Sequence, residues 1–129
     1  MITLATLKDA TAQQVFDQVK THLLTQMKQS SGYDKEDFQC YYRSGENSSL
    51  KCAAGCLISD EEYVPAMDSP FKSSGTAWEA IIEAGHAPKT HELLITQLQW
   101  VHDSHLPAEW AEKLEDLAPE FGLEYNHAA

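Results

Sequence analysis

The first strong pattern of apolar positions lies between Thr11 and Ser30. Apolar residues recur there every three or four positions, which places them on one side of a helix; they are Val15, Phe16, Val19, Leu23, Leu24 and Met27. Asp9 or Thr11 can cap the start of this helix. The Ser31-Gly32 pair is expected to end it, because glycine readily adopts the left-handed conformation that follows a helix. The pattern predicts one long amphipathic helix near the N-terminus.

A different pattern follows, in which aromatic and apolar residues flank a polar turn. Phe38 to Arg43 and Ser49 to Ala53 are typical of strands, and Ser44 to Ser48 between them is rich in turn-forming residues. The segment of about residues 38–53 is therefore predicted to be a β-hairpin. Because two strands alone are marginally stable in water, the hairpin must lie against a helix. The long N-terminal helix is the nearest candidate.

Three further helical patterns occupy the C-terminal part of the chain. The first follows Thr76 and is stopped by Gly85, the second opens at Thr90, and the third begins at Pro107 and stops or kinks before Pro119. Gly122 is expected to close the end of the third. The residues on their inner sides are Trp78, Ile81 and Ile82 in the first, Leu94, Leu98, Val101 and His105 in the second, and Trp110, Leu114 and Leu117 in the third.

Two segments lack such a pattern. Residues 63–75 contain two prolines, three serines and Gly75, which is typical of an irregular surface loop, and residues 125–129 are predicted to be a frayed tail. A chain of 129 residues is the size of one ordinary domain. The predicted fold class is therefore α+β: a mainly helical single domain, residues 1–129, with one β-hairpin packed on a long N-terminal helix.

The charge of the chain narrows the classes of partner. Nine basic and 20 acidic residues give a formal net charge of −11, so the average surface repels phosphate backbones and anionic lipid headgroups and attracts basic surfaces. The longest apolar runs, such as Leu93 to Ile95, are far shorter than the roughly 20 residues that span a bilayer. The first residues also have the wrong order for a secretory signal. We expect a protein of the cytoplasm that binds neither membranes nor nucleic acid directly.

Acidic residues concentrate in two groups, which are the candidate interaction residues. They are Asp60, Glu61, Glu62 and Asp68 in the first group, and Glu109, Glu112, Glu115, Asp116 and Glu120 in the second. Both groups have alternative explanations. A solvated helix face is the common reason for such a charge run, and Ser59 with Glu62 fits a capping box that begins a helical turn. The interaction hypothesis is that these acids bind a protein with a basic surface.

Cysteine and histidine offer the remaining candidate chemistry. The spacing of Cys52 and Cys56 misses the Cys-x-x-Cys of redox pairs, and a zinc site would need four ligands. Candidate metal ligands are Cys40, Cys52, Cys56, His102 and His105. We expect the thiols to be buried small apolar residues at a tight chain crossing, and His105 to interact with the last carbonyls of its helix. The expectation is no cofactor, no metal and no catalytic residue.

Two alternatives stay open on the same residues. One is a small-ligand or metal-binding protein using Cys40, Cys52, Cys56 and a histidine. The other is a cysteine-dependent hydrolase, in which one of His86, His91, His102 and His105 would serve as the base. Against enzymes of other classes, the chain has no phosphate-cradling glycine loop, no Gly-x-Ser-x-Gly elbow and no His-Glu-x-x-His helix.

The run CYYRSGENSSLKCAAGCLISDEEY carries a resemblance. With VFDQVKTHLLTQ before it and LQWVHDSHLPAEWAEKLEDLAPEFGL after it, the chain resembles a family of small uncharacterised proteins encoded by bacteriophages, prophages and their bacterial hosts. The shared pattern is Cys-Ala-x-Gly-Cys-Leu-Ile-x-Asp-Glu-x-Tyr. The resemblance implies a phage or mobile-element origin and a common fold, and it assigns no catalytic residue. With the charge, it favours a non-enzymatic acidic interaction protein, an inhibitor of a host or antiviral-defence protein.

Overall fold

The long helix predicted near the N-terminus is α1, Ala12–Gln26, in a computed structural model that describes residues 1–34, 37–44, 50–68 and 77–126. Thr11 caps the helix with a complete capping box: its hydroxyl accepts the Gln14 N–H, and the Gln14 side chain accepts the Thr11 N–H. Val15, Phe16, Val19 and Leu23 are fully buried. These four residues of the predicted stripe therefore face the core; Leu24 is half-buried, and Met27 lies beyond the helix and is 44% exposed.

The end of α1 differs from the prediction. The helix stops at Gln26, and Met27 rather than a glycine takes the left-handed conformation, with φ 50°. The Gln26 side chain explains the early stop, because its amide donates to the Lys28 carbonyl and exchanges hydrogen bonds with the Lys51 backbone. These bonds hold the chain in a reversal just after the helix. Gly32 lies instead in a strand.

The strands form two short antiparallel pairs. β1, Ser31–Asp34, pairs with β2, Asp37–Cys40, and β3, Arg43–Ser44, pairs with β4, Leu50–Lys51. The second pair is the part of the predicted hairpin that the structure contains, with Arg43 opposite Lys51. Phe38 to Cys40 were predicted to belong to the same hairpin, and this is wrong, because they pair with β1; positions 45–48 of the predicted turn lie outside the described residues. The first pair was not predicted, since Gly32 and Asp34 belong to types that are depleted in strands.

The predicted hairpin packs on α1 through the backbone of Lys51. His22 Nε2 lies 2.9 Å from the Lys51 carbonyl oxygen, and Gln26 Oε1 accepts the Lys51 N–H at 3.1 Å. These contacts confirm the predicted fold class, a mainly helical α+β domain with a hairpin packed on its long first helix.

Three later helices complete the architecture. They are α2, Ala77–Glu83, α3, Glu92–Ser104, and α4, Trp110–Leu117. α3 begins two residues after the predicted Thr90, since His91 before it has a left-handed φ of 58°. Short 3-10 turns at Pro107–Glu109 and Ala118–Phe121 flank α4, so the helix stops before Pro119 as predicted. None of the helices within the described ranges is long and apolar enough to cross a membrane.

The core lies between α1, α3, α4 and a buried 3-10 turn, Ala54–Leu57. Gly55 in this turn is a close-approach position. A Cβ atom added there would lie 2.3 Å from the backbone oxygen of Tyr42. Glycine is therefore required for the turn to pass directly over the chain that leads into β3.

Residues 125–126 are not a frayed tail. The Tyr125 ring packs edge-on against Phe16 at 6.3 Å, and the Lys20 ammonium lies over that ring and donates to the Asn126 carbonyl. The prediction is wrong for these two residues, and 127–129 lie outside the described residues. In the segment 63–75, residues Pro65–Met67 form a 3-10 turn in which Met67 is buried; positions 69–75 lie outside the described residues.

Candidate functional site

The two described cysteine side chains are held inside the turn that follows β4. Cys52 Sγ accepts the Gly55 N–H at 3.3 Å, and Cys56 Sγ donates to the Ala53 carbonyl at 3.2 Å. Burial raises the pKa of the Cys56 thiol to about 12 and raises the pKa of Cys52 well above its usual range. Both sulfurs are therefore neutral thiols near pH 7 and lack the thiolate that a nucleophile needs. The side chain of Cys40 lies outside the described residues.

His102 is a buried structural residue. The Ser30 N–H donates to His102 Nε2 at 2.9 Å, which fixes the proton of the neutral ring on Nδ1. Nδ1 in turn donates to Asp103 Oδ1 at 2.6 Å. The same carboxylate accepts the Gln99 side chain at 2.7 Å, and Gln99 Oε1 accepts the Ala54 N–H. The network ties α3 to the buried turn and to the start of β1.

His105 occupies the helix end that the sequence predicted. Its Nδ1 donates to the Val101 carbonyl at 3.3 Å, and its ring meets Trp100 edge-on with 4.5 Å between centroids. His102 thus uses both ring nitrogens within the fold, and His105 uses its Nδ1. Among the residues that the structure describes, no group of three or more His, Cys, Asp and Glu side chains could hold a metal ion.

A groove beside α1 brings a thiol and an imidazole to one surface. It has a volume of about 760 Å³, and its lining includes His22, Thr21, Lys51 and Cys56. Burial lowers the pKa of His22; the bond to the Lys51 carbonyl opposes that shift, and the positive charge of Lys51 adds to it. The lowered pKa of His22 and the raised pKa of Cys56 both disfavour the thiolate–imidazolium pair of a cysteine hydrolase. The groove can hold a small molecule by contact and hydrogen bonding.

His22 was not among the candidate residues predicted from the sequence. The candidate histidines all belong to the C-terminal part of the chain, whereas His22 and Cys56 line one groove because β4 and the following turn fold back onto α1. No local pattern could have indicated this pairing of residues.

Four of the nine candidate interaction acids, Asp60, Glu62, Asp68 and Glu109, bond within the fold, and Glu62 and Asp68 are the two of these that are half-buried. Glu62 accepts hydrogen bonds from three backbone N–H groups, those of Leu4, Ala5 and Ser59, each at 2.9 to 3.0 Å. Burial alone would raise the pKa of Glu62, but these hydrogen bonds outweigh burial and lower it. The bond from the Ser59 N–H to the Glu62 side chain is one of the two hydrogen bonds of the predicted capping box. No helix follows it.

Asp68 is the other internal acid. Its Oδ1 accepts the Tyr42 N–H at 2.7 Å, and its Oδ2 accepts the Tyr63 hydroxyl at 2.5 Å. The carboxylate therefore fastens the turn at Pro65–Met67 to the chain that leads into β3. Asp68, like Glu62, has its oxygens occupied within the molecule, which counts against the prediction that it binds a partner.

The other seven candidates are exposed. Asp60 forms an ion pair with the buried Arg43 at 2.6 Å, and Glu61 follows it in the same turn. The remaining five belong to α4 and its flanking turns: Glu109, Glu112, Glu115, Asp116 and Glu120, which we call the acidic face. Residues spaced by three and four lie on one stripe of a helix, and four members of the acidic face follow that spacing.

Comparisons with protein-family models, with curated proteins and with solved structures find no match for the chain.

Proposed function

We propose that this chain is a non-enzymatic acidic interaction protein whose acidic face binds a basic surface of another protein. The observation that carries the proposal is the division of α4 into two sides. Trp110 and Leu114 are fully buried, whereas Glu112, Asp116 and Glu120 are exposed. The packed side holds the helix in place, so the carboxylates form a pre-organised array that would attract a basic partner.

The charge and the resemblance indicate the class of partner. A net charge of −11 accelerates encounter with basic surfaces and disfavours nucleic acid and anionic membranes. The phage or mobile-element resemblance of the sequence favours a host or antiviral-defence protein in the bacterial cytoplasm, with this chain as its inhibitor. The thiols and His102 are engaged in the fold, which leaves the carboxylates as the main exposed charged chemistry of the described residues.

A matched pull-down tests the acidic face. The immobilised chain is compared with a triple variant, Glu112→Gln, Asp116→Asn and Glu120→Gln, in a bacterial lysate at low and moderate salt. We expect the wild-type chain to retain a protein of high pI, less of it at moderate salt, because ionic strength screens exposed charges. We expect the triple variant to lose it.

The control removes the same amount of charge elsewhere. Asp9→Asn, Glu79→Gln and Glu83→Gln change three exposed acids outside the acidic face. This control should retain the basic protein. Equal loss from both triple variants would show that only net charge matters, and the absence of a basic partner at either salt concentration would contradict the proposal.

The groove beside α1 supports a second candidate, a small-ligand-binding protein. Its volume of about 760 Å³ is within the range of about 300–1,000 Å³ that ligand pockets occupy. Thr21 lines the groove, so Thr21→Trp would fill it with an indole ring. Thr3 is not part of the lining, so Thr3→Trp is the control that adds the same ring outside the groove. Native mass spectrometry of the chain purified from bacteria should show a bound small molecule that Thr21→Trp alone loses. A wild-type spectrum without any adduct would count against this candidate.

A further inference from the structure

The outward side of α3 carries an aromatic residue that the core does not use. Trp100 is 46% exposed, whereas Trp78 and Trp110 are 1% and 0% exposed. Leu106, just after the helix, is 70% exposed. Trp100 and Leu106 lie six residues apart at the end of α3, and burying large apolar side chains of this kind against a partner is favourable.

The tryptophan is fixed in position. The Trp100 ring contacts the His105 ring, whose Nδ1 donates to the Val101 carbonyl, and the Trp110 indole N–H donates to the His105 carbonyl at 3.2 Å. We call Trp100, His105 and Leu106 the Trp100 corner. Since His105 is held from both sides, the tryptophan packed on it has little side-chain freedom to lose on binding, and pre-organisation favours affinity.

The Trp100 corner adjoins the acidic face. Glu109 Oε1 accepts the Leu106 N–H at 2.9 Å, which joins the end of the corner directly to the first member of the acidic face. Protein interfaces commonly have an apolar, aromatic centre and a charged rim, and tryptophan is enriched among the residues that dominate affinity. The corner and the acids have this arrangement.

We propose that the Trp100 corner is the anchor of the interface, and that the partner is a protein with an apolar pocket bordered by lysine and arginine. The inference rests on the proposed function and adds the contact that would fix the partner in place. Charge complementarity selects this occupant. Anionic membranes and nucleic acids are repelled by the net charge of −11, and a second copy would bring one acidic face near another.

Trp100 itself reports on the test. Because it is the exposed one of the three tryptophans, acrylamide quenching of the folded chain measures mainly its accessibility. The probes are two synthetic peptides of about 14 residues, roughly four helical turns. One has leucines every three or four positions, so that they share one side of a helix, and lysines elsewhere; the other has alanine in place of leucine. Both have the same charge.

We expect the lysine–leucine peptide to bind more tightly and to shield Trp100 from acrylamide. Leu106→Ser should weaken its binding about tenfold, which corresponds to about 1.4 kcal/mol. The matched control is Val64→Ser, because Val64 is an exposed apolar residue (39%) outside α3, α4 and their flanking turns. The Kd of that variant for the lysine–leucine peptide should be within about twofold of the wild-type value, because surface substitutions outside a contact usually have small effects.

The outcomes separate the inference from the proposed function. If both peptides bind equally and Leu106→Ser has no effect, the Trp100 corner is not an anchor, while the acidic face is still a binding surface. If neither peptide binds at low salt, both proposals fail. A concentration-dependent dimer that Leu106→Ser abolishes would place a second copy on the corner and overturn the choice of occupant.

Discussion

Glu62 stands in a run of three acids, yet its carboxylate serves the fold. It joins the N-terminal segment at Leu4 and Ala5 to the turn at Ser59, more than 50 residues away in sequence. A carboxylate that accepts several backbone N–H groups at once is held by charge-assisted bonds. The neighbouring Glu61 is exposed. Two adjacent glutamates therefore have different roles, which the sequence of acids alone does not distinguish.

Glu62→Gln should lower the free energy of unfolding by about 1 to 2 kcal/mol at pH 7, because one charged acceptor is lost. The pKa of Glu62 is below its unfolded value of 4.5, so its stabilisation is complete above that pH and is lost as the pH falls through the folded value. Urea unfolding at pH 7 and pH 3 measures this difference. Wild type and variant should converge in acid, and Glu61→Gln should match the wild type at both pH values.

The thiols provide a second prediction for individual residues. Cys52 is buried, Cys56 is half-buried, and the pKa values of both thiols are raised, so alkylation by iodoacetamide at pH 7.5 should be far slower in the native chain than in urea. Peptide mapping by mass spectrometry measures each site separately. Rapid alkylation of Cys56 in the native chain would indicate an accessible thiolate and would support the cysteine hydrolase alternative.

At the level of elements, the buried turn Ala54–Leu57 depends on its contact with the chain entering β3. Gly55→Ala should lower the free energy of unfolding by about 2 to 3 kcal/mol, because the added methyl group would overlap the Tyr42 carbonyl. Gly122→Ala is the control, since nothing lies within 4 Å of its Cβ position. Because Gly122 has a φ of 67°, alanine there must adopt a left-handed conformation, which should lower the free energy of unfolding by only about 1 kcal/mol. Equal losses in urea unfolding would contradict the close approach at Gly55.

The His102 network makes a parallel prediction for α3. His102→Leu leaves the Ser30 N–H and the buried Asp103 carboxylate without this partner, which should cost about 3 kcal/mol or more. His105→Leu, at the half-buried end of the same helix, should cost about 1 kcal/mol or less. Urea unfolding of both variants gives the comparison. A His102 variant as stable as the His105 variant would show that the network contributes little.

The elements also show which parts of the fold the sequence could predict. The apolar spacing of Val15 to Leu23 predicts α1 because it records which side is buried, and Pro119 predicts the end of α4 because a proline removes a backbone donor. The end of α1 was wrong because it depends on Gln26 bonding to Lys51, a contact between distant positions. Local patterns carry no information about such a contact.

The same limit applied to the candidate site. The sequence predicted that Cys52 and Cys56 are packed at a chain crossing, and their burial supports this. It grouped Glu62 with Glu61, although only the fold shows that Leu4 and Ala5 reach the first of them. The contacts of Asp68 with Tyr42 and of His22 with Lys51 likewise join positions that are far apart along the chain, so local patterns could not indicate them.

For the whole molecule, the dominant feature is the excess of negative charge. Twenty acids and nine bases in a chain of 129 residues mean that folding brings like charges together, and this repulsion opposes the compact state. Some acids are compensated, such as Asp60 by Arg43. The acidic face gathers five exposed carboxylates on one helix and its turns, so it should be a main source of repulsion, which binding a basic partner would relieve.

Salt should therefore stabilise the chain. Raising NaCl from about 0.01 M to 0.15 M shortens the screening length from roughly 30 Å to 8 Å, so the thermal unfolding midpoint of the wild type should rise. The triple variant Glu112→Gln, Asp116→Asn and Glu120→Gln should be more stable at low salt and respond less to NaCl, because part of the repulsion is already removed. The control with Asp9, Glu79 and Glu83 neutralised loses the same charge from dispersed positions, so its response should lie between the two. A midpoint that falls with NaCl would show that ion pairs such as Arg43 with Asp60 contribute more to stability than the repulsion takes away. In that case the acidic face would not destabilise the free chain, and binding a basic partner would relieve no repulsion there.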